Sequence, residues 1–149
     1  MDKVKGFSLL ELLAALAIIA VLSAVAIPTY QGYRIHGNRV DVQTEMLQMS
    51  QRLENHKLAR GTYADIDTLY GSTTFPKTGE VLYNINLTTI PEAPAAGELI
   101  TGWTLQATPV SNSLQKDDGV VRINHLGQRC WEKKATTCVL DASSNWDKK

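Results

Sequence analysis

The segment from Phe7 to Pro28 contains no basic residue and only one acidic residue, Glu11. The whole chain of 149 residues carries 15 basic and 15 acidic side chains, so it lacks the excess positive charge that is typical of nucleic-acid-binding proteins. A phosphate-binding glycine loop and a nucleophile elbow are both missing, and the three histidines do not stand at metal-ligand spacing. The sequence therefore predicts a protein that is not an enzyme, with no catalytic residue, cofactor or metal site.

What the sequence does contain is an apolar run of about 22 residues, from Phe7 to Pro28, built mainly from Leu, Ala, Ile and Val. A helix rises about 1.5 Å per residue, so this run is long enough to cross the roughly 30 Å hydrocarbon core of a bilayer. Beyond Thr29 the composition becomes polar and mixed in charge, and the remaining length suits one domain. We expect an apolar helix joined to one soluble globular head.

Three interpretations of the apolar run compete. A secretory signal peptide has a shorter run followed by a small-residue cleavage site, and residues 24–26 offer only a weak one. A plain transmembrane anchor fits the length but leaves Glu11 unexplained, because a carboxylate in hydrocarbon costs several kcal/mol. The third interpretation comes from a family resemblance and accounts for both the length and the acid.

The segment 6–11, with the sequence GFSLLE, resembles the N-terminus of type IV pilins and pseudopilins, and residues 26–33 continue the family pattern. The resemblance implies that a prepilin peptidase cuts after Gly6 on the cytoplasmic side, and that Phe7 becomes the N-methylated first residue. It also implies a leader of residues 1–6, a transmembrane and filament-core helix of residues 7–28, and a periplasmic head of residues 29–149. The basic residues on either side of the run do not decide its orientation by themselves.

The same resemblance gives Glu11 a role in assembly. A carboxylate in lipid either takes up a proton or pairs with a cation, and in the family the cation is the terminal amine of a neighbouring subunit, here that of Phe7. Such a pair sets the register between subunits, because a displaced subunit leaves a buried charge unpaired. The alternative is a glutamate whose side chain reaches back to the lipid headgroups.

Residues 29 to about 59 are predicted to continue the helix, which ends at Arg60 and Gly61. Pro28 and Gly32 are expected bend points, because both weaken helical hydrogen bonding. One apolar stripe runs along this part of the helix. Its members are Ile35, Val42, Met46, Met49 and Leu53. We expect the stripe to pack on the subunit's own sheet; a coiled-coil seam is the alternative, but the stripe covers only about three heptads.

The head is predicted to be α+β, with the long helix packed on a three- to four-stranded antiparallel sheet. Alternating apolar and polar residues predict strands at 83–88 and 103–109, followed by a third at 120–124 and a short fourth at 128–131. Residues 61–80 contain turn-forming residues and no clear period, so we expect a loop there.

The pattern of the head, from Arg60 through the Trp103–Pro109 strand to Trp131, resembles the PilE-like minor pilins. This resemblance implies a structural subunit that enters a type IV pilus or helps to start its assembly. Its partners are then other pilin subunits, the prepilin peptidase, the assembly platform and the inner membrane, with an extracellular position after assembly. A major pilin, a type II secretion pseudopilin and a DNA-uptake receptor are the alternatives.

Two cysteines, Cys130 and Cys138, lie close together near the C-terminus. An even number of cysteines in a chain with an export-like N-terminus favours a disulfide, whereas a cytosolic protein would keep two free thiols. The enclosed loop is shorter than we expect for PilE-like pilins. A disulfide here would hold the chain end, Val139–Lys149, against the sheet.

The C-terminal region is rich in basic residues, and two tryptophans accompany them. The basic residues are Arg129, Lys133, Lys134, Lys148 and Lys149. Such a cluster can contact the phosphates of DNA, and Trp131 and Trp146 can stack on bases. Three acidic residues in the same region offset the charge, which favours an ordinary solvated surface.

The remaining polar candidates are weaker. We expect the three histidines, His36, His56 and His125, to be exposed polar side chains. The segment Asp117–Gly119 has the composition of a turn, and one pair of aspartates is a weak signal for a calcium site.

Overall fold

The computed structural model describes residues 6–147 and divides the chain into two units, residues 1–36 and residues 37–149. In the first unit, the described structure is the first part of helix α1, Leu9–Arg60. Every large apolar side chain from Phe7 to Ile27 is more than half exposed, with fractions of 56% or more. Among the described residues, α1 is the one helix that is long and apolar enough to cross a membrane.

The second unit combines the rest of α1 with a short helix and five strands. The short helix α2 is Ile66–Tyr70, and the strands are β1 Thr73–Phe75, β2 Tyr83–Ile90, β3 Gly102–Pro109, β4 Val121–Asn124 and β5 Arg129–Trp131. All four strand pairs are antiparallel, and the strands lie in the order of the chain. The architecture is therefore α+β with a five-stranded meander, which confirms the predicted fold class.

The core of this unit lies between α1 and one face of the sheet. Side chains alternate along β2, where Tyr83 and Ile85 are buried and Asn84 is exposed. Their cluster includes the apolar stripe of α1 and the buried residues of β3 and β4. The stripe residues in the cluster are Val42, Met46, Met49 and Leu53. The predicted packing on the subunit's own sheet is confirmed for these four residues, whereas Ile35 is not in the cluster.

Three sequence expectations need correction. The sheet has five strands rather than three or four, because Thr73–Phe75 forms β1 beside Tyr83–Ile85 inside the segment predicted as a loop. The same segment contains α2. Both elements are too short for a hydrophobic period to be recognised, because a strand pattern needs about four residues and a helix pattern about eleven, so only their tertiary contacts define them. His56, expected to be exposed, is 8% exposed, and its Nε2 lies 3.0 Å from the carbonyl oxygen of Ala64.

One buried ion pair connects α1 to the connection between β3 and β4. Arg39 on α1 pairs with the Oδ1 atom of Asp118, and the Asp118 side chain is only 1% exposed. Tyr83 donates its hydroxyl hydrogen to Oδ2 of the same carboxylate at 2.5 Å. The Arg39 guanidinium also lies 3.7 Å from the ring centre of Trp131. Both oxygens of the buried carboxylate therefore have partners, as its burial requires.

Hydrogen bonds extend this network to two further side chains. The Nε2 atom of Gln115 donates to the Tyr83 hydroxyl oxygen at 2.7 Å, and Nδ2 of Asn38 donates to Oε1 of Gln115 at 3.2 Å. Burial raises the pKa of Tyr83 above its usual range, and the hydrogen bond to Asp118 raises it further. Tyr83 is therefore a neutral donor throughout the physiological range.

A second carboxylate attaches the C-terminal part of α1 to the sheet. Glu54 accepts hydrogen bonds at Oε1 from the Tyr63 hydroxyl at 2.7 Å and from Nε1 of Trp103 at 3.1 Å. Burial, followed by the contact with Glu54, raises the pKa of Tyr63 to about 12. The helix is thus joined to the head by polar contacts near both ends of the buried stripe.

The buried ion pair gives a first prediction. Replacing Asp118 by Asn keeps the shape and a hydrogen-bond acceptor but removes the buried negative charge that faces Arg39. We expect this variant to lose about 3–5 kcal/mol of unfolding free energy, the usual cost of breaking a buried pair. Urea unfolding of the full chain in detergent micelles, followed by tryptophan fluorescence, measures the loss.

The neighbouring residue provides a matched control. Asp117 is exposed, so Asp117→Asn makes the same chemical change at the surface and should alter the unfolding free energy by about 0.5 kcal/mol or less. Equal stability of the two variants would contradict the importance of the Arg39–Asp118 pair.

Candidate assembly surface and disulfide loop

The first candidate site is the beginning of α1, where Ser8 immediately precedes the helix. The backbone N–H of Glu11 donates to the Ser8 hydroxyl oxygen at 3.3 Å. In return, the backbone N–H of Ser8 donates to Oε2 of Glu11 at 3.5 Å. These reciprocal contacts are those of a capping box, in which two otherwise unpaired N–H groups at the helix start are satisfied.

The capping box gives the Glu11 carboxylate a partner within its own chain. A negative charge is also favourable at this place, because the helix N-terminus carries a partial positive charge. Sequence reasoning gave Glu11 a partner in a neighbouring subunit and did not consider a partner in its own chain. The Ser-x-x-Glu spacing of Ser8 and Glu11 was the signal that could have identified its second role.

The predicted cleavage residues lie just outside the helix. Gly6 and Phe7 are exposed and have no regular secondary structure. Residues 1–5 of the predicted leader, with Lys3 and Lys5, lie outside the described residues. Pro28 and Gly32 both lie within α1, and the bend expected at these positions stays a prediction.

The second candidate site is the C-terminal disulfide loop. Cys130, on β5, is bonded to Cys138, and both residues are buried. The backbone N–H of Val120 donates to the Ala135 carbonyl inside the loop at 3.1 Å. Nη1 of Arg122 donates to the Cys138 carbonyl at 2.8 Å. The loop is therefore fixed at its middle to Val120, just before β4, and at its end to Arg122 on β4.

Gly119 makes this arrangement possible. Its φ of +92° lies in the region that side chains rarely adopt. A Cβ atom added there would lie 2.0 Å from the Glu132 carbonyl oxygen and 2.9 Å from the backbone nitrogen of Lys134. Only glycine allows the disulfide loop to approach this closely. The turn composition of Asp117–Gly119 indicated a turn in the sequence but not this contact.

Trp131, the first residue inside the disulfide loop, connects the loop to the buried ion pair. Its Nε1 atom donates to the Asp118 backbone carbonyl at 2.9 Å, and its ring faces the Arg39 guanidinium. The two oxygens of the Asp118 carboxylate are held by Arg39 and Tyr83. Among residues 6–147, no group of three or more histidine, cysteine or acidic side chains is placed to hold a metal ion.

The basic residues of the C-terminal region lie on and beside the disulfide loop. Lys133 and Lys134 are exposed, and Lys134 has a positive φ of 61°. The Arg129 guanidinium lies 5.3 Å from the ring centre of Trp146. Lys148 and Lys149 lie outside the described residues. The described part of the cluster thus contains three cations, two of them on a loop fixed by a covalent bond.

Comparison with known families gives two matches that together extend from residue 1 to residue 121. Residues 28–121 match the family model described as "Type IV minor pilin ComP, DNA uptake sequence receptor". Residues 1–27 match the prokaryotic N-terminal methylation motif.

Curated relatives match over shorter stretches. The chain is 50% identical over 48 residues to "Prepilin peptidase-dependent protein D" of Escherichia coli (strain K12). The matched stretch covers 32% of this chain and 30% of that protein. It is 44% identical over 50 residues to "Type IV major fimbrial protein FimA" of Dichelobacter nodosus, covering 34% of this chain and 32% of that protein. The matched region is about a third of the length of these relatives.

A solved structure matches part of the chain. The non-core minor pilin PilV of Neisseria meningitidis is 19% identical, with a TM-score of 0.47, over 71% of this chain and 94% of that one.

The disulfide gives a second prediction. Replacing both Cys130 and Cys138 by Ala removes a short covalent loop, and the chain-entropy estimate for such a loop is roughly 2–3 kcal/mol of unfolding free energy. The amide of Ala135, inside the loop, should also exchange its hydrogen faster. Urea unfolding and hydrogen exchange of the full chain measure the two effects.

Reduction of the wild-type protein serves as the control. Dithiothreitol should lower the stability of the wild type towards that of the double variant and leave the variant unchanged. Identical unfolding curves for the oxidised and reduced wild type would contradict a stabilising role of the bond.

Proposed function

The chain belongs to the type IV minor pilin family, and we propose that it becomes a pilus subunit after insertion into the inner membrane and N-terminal processing. The apolar segment of residues 7–28 holds the precursor in the membrane, with the head of residues 29–149 in the periplasm. After assembly the same segment lies in the filament core and the head is extracellular. The observation that carries this proposal is the exposure of the apolar side chains from Phe7 to Ile27, which requires a lipid or protein environment.

Processing by a prepilin peptidase fits the local structure around Gly6. A peptidase needs an extended, accessible peptide bond, and both Gly6 and Phe7 are exposed and precede the first helical residue. Cleavage after Gly6 creates a terminal amine on Phe7, which is then methylated. The new positive charge lies one residue before Ser8, the residue that caps the helix.

The capping box suggests how Glu11 serves both the free and the assembled subunit. In the free subunit the carboxylate is stabilised by Ser8 and by the helix N-terminus. During assembly it pairs with the Phe7 amine of a neighbouring subunit. Because an ion pair in a low-dielectric environment is strong, the paired state is favoured only when the two subunits have the correct register.

A third prediction separates the charge of Glu11 from its capping role. Glu11→Gln keeps a side chain that suits the capping box but removes the charge. We expect normal cleavage, seen by mass spectrometry of the N-terminus, and about tenfold less of the variant in sheared filaments than the wild type. The loss follows because the Phe7 amine of the neighbour has no counter-charge.

Ser8→Ala is the matched variant, since it weakens the cap and keeps the charge. It should enter filaments at close to the wild-type level. If Glu11→Gln also enters at the wild-type level while Ser8→Ala does not, helix capping rather than the charge determines assembly.

A second candidate function is DNA capture, which the description of the matching family model names. The surface that we propose for the phosphate contacts consists of Lys133 and Lys134 on the disulfide loop, with Arg129 beside them. A loop held by a disulfide presents these cations without much loss of conformational entropy on binding. Exposed Glu132 lies between the cations in sequence, so we expect modest affinity.

A fourth prediction tests this second function. Removing two phosphate contacts with Lys133→Ala/Lys134→Ala should lower the slope of log affinity against log salt by about 2 units. Gel shifts of the full chain in detergent with duplex DNA, at several salt concentrations, measure the slope.

The control removes two exposed cations from α1 instead, as Arg52→Ala/Lys57→Ala. Equal effects of the two double variants would indicate general attraction by charge, and the absence of any shift would remove the DNA function while leaving the pilus function intact.

A further inference from the structure

The face of the sheet that points away from α1 contains a polar cleft of about 320 Å³. Its floor is formed by side chains from two adjacent cross-strand rows. One row pairs Asn86, Gln106 and Arg122, and the other pairs Thr88 with Thr104. The cleft therefore lies on three regular strands, where side chains keep defined positions.

Several hydrogen-bonding groups of the residues that line the cleft have no partner among the described residues. No side-chain hydrogen bond is formed by Thr88 or Thr104 within the described residues 6–147. The Nε atom of Arg122 is buried and has no acceptor there, although its Nη1 donates to the Cys138 carbonyl. Burial closes that nitrogen to a ligand, so the groups that can bond to a molecule in the cleft are the half-buried hydroxyls of Thr88 and Thr104.

The charges of the cleft favour an uncharged ligand. Arg122 contributes one positive charge, and Glu92, from the connection between β2 and β3, contributes one negative charge. The other polar side chains of the cleft are hydroxyls and amides. A polyanion would be attracted by Arg122 and repelled by Glu92, whereas a cation would be repelled by Arg122 and attracted by Glu92. The balanced charges thus favour a molecule without net charge that both donates and accepts hydrogen bonds.

We propose that this cleft binds a neutral hexose unit of a saccharide. Each sugar hydroxyl donates and accepts, so adjacent hydroxyls match the guanidinium, carboxylate and amide groups that surround the cleft. Ile90 adds an apolar wall for the C–H face of the ring. The volume lies at the lower end of the range for ligand pockets, roughly 300–1,000 Å³. On a pilus subunit, such a site would attach the filament to a carbohydrate surface.

The test uses the full chain in a phosphocholine detergent, because many common detergents have sugar headgroups. Methyl glucoside and methyl galactoside are titrated while the side-chain amide signals of Asn86 and Gln106 are followed by NMR. Inorganic phosphate, glucuronate and glucosamine form separate arms. We expect a neutral hexoside to shift both signals while the amide of Asn84, on the same face but outside the cleft, stays unchanged.

Two variants locate the site. Thr104→Val has nearly the same shape but lacks the hydroxyl, and it should weaken hexoside binding by about fivefold, the value of one hydrogen bond. Gln106→Met should weaken it similarly. Thr74→Val, on β1 and outside the cleft, is the control and should bind as the wild type does. Circular dichroism establishes that each variant is folded.

Three results would overturn the proposal. The first is no response to either hexoside at any soluble concentration. The second is a response to phosphate, glucuronate or glucosamine without one to the neutral sugars. The third is equal binding by Thr104→Val, Gln106→Met and Thr74→Val.

Discussion

The buried pair of Arg39 and Asp118 is the interaction on which the second unit depends most. It joins α1 to the connection between β3 and β4, and both carboxylate oxygens of Asp118 are occupied. Trp131 contacts the guanidinium on one side and the backbone of Asp118 on the other. The helix, the sheet and the disulfide loop therefore all contact Asp118, whose side chain is buried. Because an unpaired charge there is costly, these three parts stabilise one another.

Much of this fold follows from hydrophobic periodicity. The stripe from Val42 to Leu53 indicated which face of α1 packs on the sheet, and the alternation from Tyr83 indicated β2. The three-residue strand Thr73–Phe75 was not predictable, because its position depends on pairing with Tyr83–Ile85 rather than on any pattern of its own. Short segments are defined by tertiary contacts, which one sequence does not reveal.

The polar residues of the candidate sites were harder to interpret from the sequence. A single residue such as Asp118 belongs to no periodic pattern, and the composition of the segment around it indicated only a turn. Its partner Arg39 is distant in the sequence and therefore could not be identified. His56 was assigned to the surface for a similar reason, since its acceptor, the Ala64 carbonyl, belongs to the backbone. Glu11 is different. Its partner Ser8 lies three residues away, and this spacing is a local signal that sequence reasoning can use.

The two outermost strands of the sheet, β1 and β5, have only three residues each. A long unpaired edge presents backbone groups to which another chain can add a strand, and this is a common route to uncontrolled aggregation. On β5, the disulfide to Cys138 adds a covalent constraint at the edge. Such short edge strands offer few backbone groups to a strand of another molecule, and they therefore disfavour amyloid-like growth.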